Sequence, residues 1–167
     1  MVRNAWCVKG KTVTHDEWLA SIPAEITGDP LWRMEVYRLA LFMSDITWPD
    51  TCKLMQNHST LGLSDQLYRA TGSISANIAE GYSRQSGKDQ ARYYEYALGS
   101  ARESRTWYYQ ARHILSESVV LHRIKLLTSI IRLLMTMIPA ERGYKLSEPR
   151  ESYEVDLTDL LNNVPLA

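Results

Sequence analysis

The sequence predicts an all-α protein: an antiparallel up-and-down four-helix bundle with a short N-terminal helical arm and an acidic C-terminal tail. Three observations carry that expectation. Apolar residues recur at alternating steps of three and four through the middle of the chain, the spacing of a helix face packed on neighbours. No segment alternates apolar and polar residues between turn residues, so no strand is expected. The connections between the periodic segments are short, which makes successive helices antiparallel neighbours. On this reading residues 1–29 are the arm, 30–144 the bundle and 145–167 the tail.

The first bundle helix is expected over 31–46, with the seam Trp32, Val36, Leu39, Met43 and Ile46. Pro49 ends it, because the residue before a proline disfavours the helical region. The second is expected over 63–82, with Leu63, Leu67, Ala70, Ile74 and Ile78 on the seam beside Asn77 and Gly81. Gly81 permits either a close backbone approach or a helix end. The third is expected over 88–115, capped by Ser86 with Asp89 in its first turn. Its seam is Tyr94, Ala97, Ala101, Ser104, Tyr108, Ala111 and Leu115. The fourth is expected over 117–138 and stops at Pro139, with Val120, Ile124, Leu127, Ile131, Leu134 and Ile138 inward. Ahead of the bundle, Thr14-His-Asp-Glu17 is a capping-box pattern that opens a short helix with Trp18 and Leu19. Beyond it, 145–156 is polar and irregular, and 156–162 has room for one or two helical turns.

The 167 residues hold 19 basic and 19 acidic side chains, so the formal charge is zero. That balance argues against a protein that coats nucleic acid with positive charge. The zero is uneven along the chain. Residues 30–144 carry 14 basic and 10 acidic residues, whereas 145–167 carry 2 and 5. Ten Tyr and five Trp against one Phe favour half-buried surfaces and interfaces. Cys7 and Cys52 are too few for a disulfide framework or a four-thiolate metal site. No signal-like segment and no membrane-length apolar run appears, so the expectation is a reduced, cytoplasmic protein.

Two helices are apolar or aromatic over more of their surface than one bundle seam needs. The fourth also carries Leu121, Leu126, Ile130, Leu133, Met135 and Met137. The third has a second line, Tyr93, Tyr96, Ser100, Glu103 and Trp107, about 100° from the first. Either the arm and tail cover these faces or the chain self-associates. Self-association is the favoured reading, with Tyr93, Tyr96, Trp107, Leu126, Ile130, Leu133 and Met137 as the expected oligomer interface.

Catalytic signals are missing. No Glu-x-x-His supports a di-iron site in the bundle, and His15, His58, His113 and His122 follow no ligand spacing. There is no Gly-x-Ser-x-Gly elbow and no phosphate-binding glycine loop. No catalytic residue, metal or cofactor is expected. Asn77, Glu80 and Ser104 place polar groups on or beside two seams. They are read first as a buried hydrogen-bonding network that fixes register, and second as a small-molecule pocket. Arg84, Lys88, Arg92, Arg102, Arg105 and Arg112, with aromatics among them, are candidate contacts to RNA or single-stranded DNA. Ordinary solvated ion pairing with Asp89, Glu95 and Glu103 is the alternative.

Leu67-Tyr-Arg-Ala-Thr-Gly-Ser-Ile-Ser-Ala-Asn-Ile-Ala-Glu-Gly-Tyr-Ser-Arg84, then Ser86-Gly-Lys, then Tyr94-Glu-Tyr-Ala-Leu-Gly-Ser-Ala-Arg-Glu-Ser104, resembles the four-helix-bundle family of 23S rRNA intervening-sequence proteins. The likeness spans roughly 31–140, and Ser75 stands where the family usually carries proline. The resemblance implies an antiparallel four-helix bundle and no enzyme. It also implies a homo-oligomer, with pentamers among the family's structures. A relative is the accessory variability determinant of diversity-generating retroelements, a basic pentamer that binds nucleic acid and a reverse transcriptase. The expected function is therefore a non-enzymatic oligomeric scaffold with a nucleic-acid or ribonucleoprotein accessory role. A reverse-transcriptase-type partner is one expectation. A protein–protein adaptor without nucleic acid and a small-molecule binder are the alternatives.

Overall fold

The computed structural model describes residues 14–143 and 156–167. Cys7 and the polar stretch over 145–155 lie outside the described residues. Seven helices are present among the described residues: α1 (His15–Ser21), α2 (Ala24–Thr27), α3 (Glu35–Leu54), α4 (Leu61–Tyr82), α5 (Gly87–Ala111), α6 (Glu117–Glu141) and α7 (Leu157–Asn162). Helix α3 packs on α4, α4 on α5, α5 on α6, and α6 closes the ring on α3. This is the expected up-and-down bundle. None of the described helices is long and apolar enough to cross a membrane.

Most seam residues read from the sequence lie in the core, while Trp32, Leu63 and Ile124 are partly buried and pack against it. Val36, Leu39 and Met43 meet Leu67, Ile74 and Ile78, and across from them lie Leu127 and Leu134, all at most 2% exposed. Helix α5 contributes Ala91, Ala97, Ala101 and Ala111, small residues that let its neighbours approach closely. The caps also form as the sequence indicates. The Ser86 hydroxyl accepts from the Asp89 amide at 3.1 Å. The Thr14 side chain accepts from the Glu17 amide, and the Glu17 carboxylate accepts from the Thr14 amide, which completes the capping box.

Several boundaries differ from expectation, beginning with α3, which starts at Glu35 after a separate 3-10 turn over Pro30–Arg33 rather than at 31. Helix α3 continues through Pro49 to Leu54 rather than stopping before it, and Pro139 lies inside α6. An interior proline costs roughly 3 kcal/mol. In α3 the residues after it, Asp50, Thr51 and Leu54, are all buried, and their packing offsets that cost. Helix α5 stops at Ala111, four residues early, and Leu115 reaches the core from the turn.

The arm and the far end of the tail both dock on the bundle. Trp18 of α1 is fully buried, and its indole N–H donates to Asp45 Oδ2 at 2.6 Å. Its ring packs on Phe42 and Trp32. Helix α7 rests on α6 and α1, with Leu160 and Val164 buried.

Gly81 is the point of closest approach between α4 and α5. A Cβ there would stand 2.8 Å from the Tyr94 ring and 3.0 Å from Tyr93 Cβ. Gly81→Ala is therefore expected to cost about 1–3 kcal/mol by overpacking. Gly72→Ala, where a Cβ meets nothing, should instead add about 0.5–1 kcal/mol. Denaturant unfolding of the two variants checks this; equal stability would contradict the close approach.

Candidate functional site

The candidate nucleic-acid residues divide into separate places. Arg84, Lys88 and Arg92 gather where α4 turns into α5. The Arg84 guanidinium lies over the Tyr93 ring, 4.4 Å from its centre, and donates to the Tyr93 hydroxyl at 2.7 Å. Arg84 also pairs with Glu80 one turn back on α4. Arg92 donates to the Tyr96 hydroxyl at 2.8 Å and lies against that ring. Tyr93 and Tyr96 meet edge to face, and Tyr96 is 47% exposed. Beside them an open groove of about 520 Å³ is lined by Ser86, Lys88, Asp89, Arg92, Glu95, Tyr96 and Arg142. Arg142 at the end of α6 pairs with Glu95 at 2.6 Å. The zone thus holds guanidinium groups, an ammonium and aromatic rings around a groove, with three carboxylates: Glu80 and Glu95 pair with arginines, and Asp89 accepts from the Ser86 hydroxyl.

The other three candidates lie apart. Arg102 sits mid-helix, with Nη2 3.9 Å from Met135 Sδ. Arg105 is half-buried and donates to Thr128 Oγ1 at 3.3 Å. Arg112 stacks on Tyr109 just past the far end of α5, about 30 Å from Arg92 by helix rise.

The expected network of Asn77, Glu80 and Ser104 does not form. The Asn77 amide donates to the Ser73 carbonyl within its own helix, and the Ser104 hydroxyl to the Ser100 carbonyl. Glu80 is exposed and faces Arg84. Asn77 and Ser104 bond to their own helices and Glu80 to Arg84, so the three groups do not bond to one another. The expected oligomer interface is corrected as well. Leu126 and Ile130 are fully buried in the core, and Leu133, Met137 and Trp107 pack partly against it. Only Tyr93 and Tyr96 of that set belong to the exposed tyrosine zone. Of the extra apolar residues expected on the fourth helix, Leu121 and Met135 are exposed on α6, and further exposed apolar side chains occur along α3 and α4. Trp48 and Met55 are 51% and 59% exposed, and Trp48 meets Tyr68 edge to face.

The buried polar network is elsewhere. Asp50 on α3 and Arg123 on α6 form an ion pair with both side chains fully buried. Asp50 accepts from Arg123 Nε at 2.8 Å, from Arg123 Nη2 at 3.3 Å, and from the Tyr108 hydroxyl at 2.7 Å. Thr47 Oγ1 lies 2.8 Å from that hydroxyl. Burial pushes the Asp50 carboxyl above its ordinary value, and the guanidinium and phenol act against that push. Burial, and secondarily the charge of Asp50, hold the Tyr108 phenol well above its usual range, so it stays a donor.

The network continues into the tail. Arg123 Nη1 lies 2.9 Å from His122 Nδ1, and Arg123 Nη2 donates to the Pro165 carbonyl at 2.9 Å. A guanidinium has no acceptor, so His122 Nδ1 must accept and Nε2 must carry the proton. Nε2–H then donates to the Leu160 carbonyl at 2.6 Å. Burial, and then the Arg123 charge, lower His122 to about 4. One signal in the sequence pointed here: Arg123 stands within a helix that is apolar almost all round, where a charge needs a partner.

Among the described residues, no group of three or more His, Cys, Asp or Glu side chains could hold a metal ion. The buried network has the ingredients of a structural clamp, and the Arg84–Tyr93–Arg92–Tyr96 zone those of a surface contact.

Two outcomes are expected. Arg123→Met strands a buried carboxylate and should cost about 3–5 kcal/mol in urea unfolding; a loss below about 1 kcal/mol would contradict the pairing. His122 titrates near 6.5 when unfolded and near 4 when folded, so the unfolded state binds the proton first. Its contribution is intact above about pH 6.5, declines as pH falls, and is lost below about pH 4, a difference of at most about 3 kcal/mol. His122→Gln, which keeps a donor and an acceptor without titrating, should flatten that part of the stability profile; an unchanged profile would contradict the assignment.

Residues 33–136 match the model of the protein family described as 23S rRNA-intervening sequence protein. The match runs from the start of α3 into α6 and includes both Asp50 and Arg123, but neither α1 nor α7. No curated protein and no solved structure matches the chain.

Proposed function

We propose that this chain, which belongs to the 23S rRNA-intervening sequence protein family, is a non-enzymatic helical scaffold that assembles with copies of itself and holds single-stranded nucleic acid, RNA first, at the α4–α5 turn. The observation that carries the reading is the joint placement of Arg84, Lys88 and Arg92 with Tyr93 and Tyr96. Cations beside aromatic rings, of which Tyr96 is the exposed one, are what a sugar–phosphate backbone with unstacked bases requires. Three well-placed cations make a modest site, consistent with a chain whose formal charge is zero. Assembly is supported by the exposed aromatic line on α3 and α4, where Trp48 and Tyr68 meet. A pentamer is the stoichiometry the family resemblance favours, and the cytoplasm is the compartment this reading assigns. A second reading, a protein–protein adaptor, is favoured by the same aromatic line if it receives another protein.

Fluorescence anisotropy with single-stranded RNA at two salt concentrations tests the nucleic-acid part. With about three phosphate contacts, affinity should fall roughly twentyfold between 50 and 200 mM salt. Arg92→Ala should reduce that slope, and Tyr96→Ala should weaken binding by about 1 kcal/mol or more. No binding at low salt would overturn this part. Light scattering tests assembly: a mass near 19.2 kDa at micromolar concentration would overturn it.

A further inference from the structure

We propose, resting on the single-strand reading of the α4–α5 turn, that the α5–α6 flank is a second nucleic-acid surface that takes the phosphates of paired RNA. The ligand class is then a duplex joined to an unpaired strand. Residues spaced by three and seven share one helix face. Glu95, Arg102, Arg105 and Arg112 follow that spacing along α5 to its C-terminal cap, and Lys125, Thr128, Met135 and Arg142 along α6 to its own cap. Contacts between the helices set the two lines side by side. Arg142 pairs with Glu95 at 2.6 Å, Arg102 Nη2 lies 3.9 Å from Met135 Sδ, and Arg105 donates to Thr128 Oγ1 at 3.3 Å. The flank runs about 26 Å from Glu95 to Arg112 by helix rise.

Its charge is of one sign. The ion pairs among the described residues engage Arg69, Arg84, Arg123 and Arg142, and Arg102, Arg105, Arg112 and Lys125 enter none of them. Helix α6 carries no acidic residue between Glu117 and Glu141. On α5 beyond Glu95 the one carboxylate is Glu103, which accepts from the Trp107 indole on the neighbouring line. Arg102, Arg112 and Lys125 are exposed and Arg105 is half-buried. Such a row attracts a polyanion. It offers no stacking platform along its middle: α5 has no aromatic residue between Tyr96 and Trp107, and α6 has none at all. Unpaired bases need ring faces, whereas a duplex stacks its own bases and presents phosphates outward. The cations of the flank therefore fit paired RNA, and the tyrosines of the turn fit the unpaired part. The two surfaces are continuous, because Arg142 ends the flank and lines the groove at the turn.

The test is fluorescence anisotropy on the full chain with three labelled RNAs: a single strand of about ten nucleotides, a blunt hairpin of about 16 base pairs, and that hairpin carrying the single strand as a tail. The tailed hairpin is expected to bind at least tenfold tighter than either part, since the second contact becomes intramolecular. The variant Arg102→Gln, Arg112→Gln, Lys125→Gln, which changes exposed side chains only, should remove most of that advantage and reduce the salt slope for the tailed hairpin by two to three. It should leave single-strand affinity within about twofold. A tailed hairpin that binds the unaltered chain no tighter than the single strand would overturn the flank and leave the turn standing. So would a tailed hairpin whose affinity and salt slope the triple variant leaves unchanged. A single strand that fails to bind at low salt, with the hairpin bound, would instead overturn the turn site and with it the joined ligand.

Discussion

Asp50 and Arg123 form an ion pair from which water is excluded on both sides, joining the first long helix of the bundle to the last. Removing two charges from water costs several kcal/mol for each, and the attraction between them repays this only when the geometry is good and the remaining hydrogen-bonding capacity is used. Here it is used almost completely. Asp50 accepts three donors, and Arg123 reaches Asp50, His122 and the tail. Such a pair tolerates little change in the relative position of α3 and α6, which makes it a register lock for the closure of the ring. It also explains why α3 runs past Pro49: the helix must extend one residue further to deliver Asp50.

The same pair links the C-terminal end of the chain to the bundle. His122 takes its tautomer from Arg123, and the tail takes its position from both. The tail therefore docks through groups whose first duty is to close the bundle. The α4–α5 turn is the opposite kind of surface. Its arginines lie over tyrosine rings and its carboxylates pair in solvent, where ion pairs contribute little to stability. Stability is concentrated at the α3–α6 clamp and not at the tyrosine zone.

Much of the fold was legible because burial in a bundle is periodic. The seams of α3 to α6, the caps at Thr14 and Ser86, and the helical turns after Asp156 all follow from local patterns. What periodicity cannot report is which of two apolar faces meets a neighbour of the same chain. Leu126 and Ile130 looked like surplus on α6 and are core, because α6 packs against three other elements, α3, α5 and α7. Polar residues near a seam misled in a related way. Asn77 and Ser104 bond to their own helix backbone, an outlet open to any such side chain in a helix. The partners in the real network are 73 residues apart in sequence, and no spacing rule connects positions so distant. Arg123 carried a hint, as one of three cations on a largely apolar helix, but nothing in the sequence pointed to Asp50 as its counter-charge.

The most direct test of the clamp is a double-mutant cycle on Asp50→Asn and Arg123→Met, read by urea unfolding at pH 7. If the pair is the lock described here, the double variant should be much less destabilised than the sum of the single ones, with a coupling energy of about 2 kcal/mol or more. Losses that add to within about 0.5 kcal/mol would show that the two charges act independently, and the account would fail.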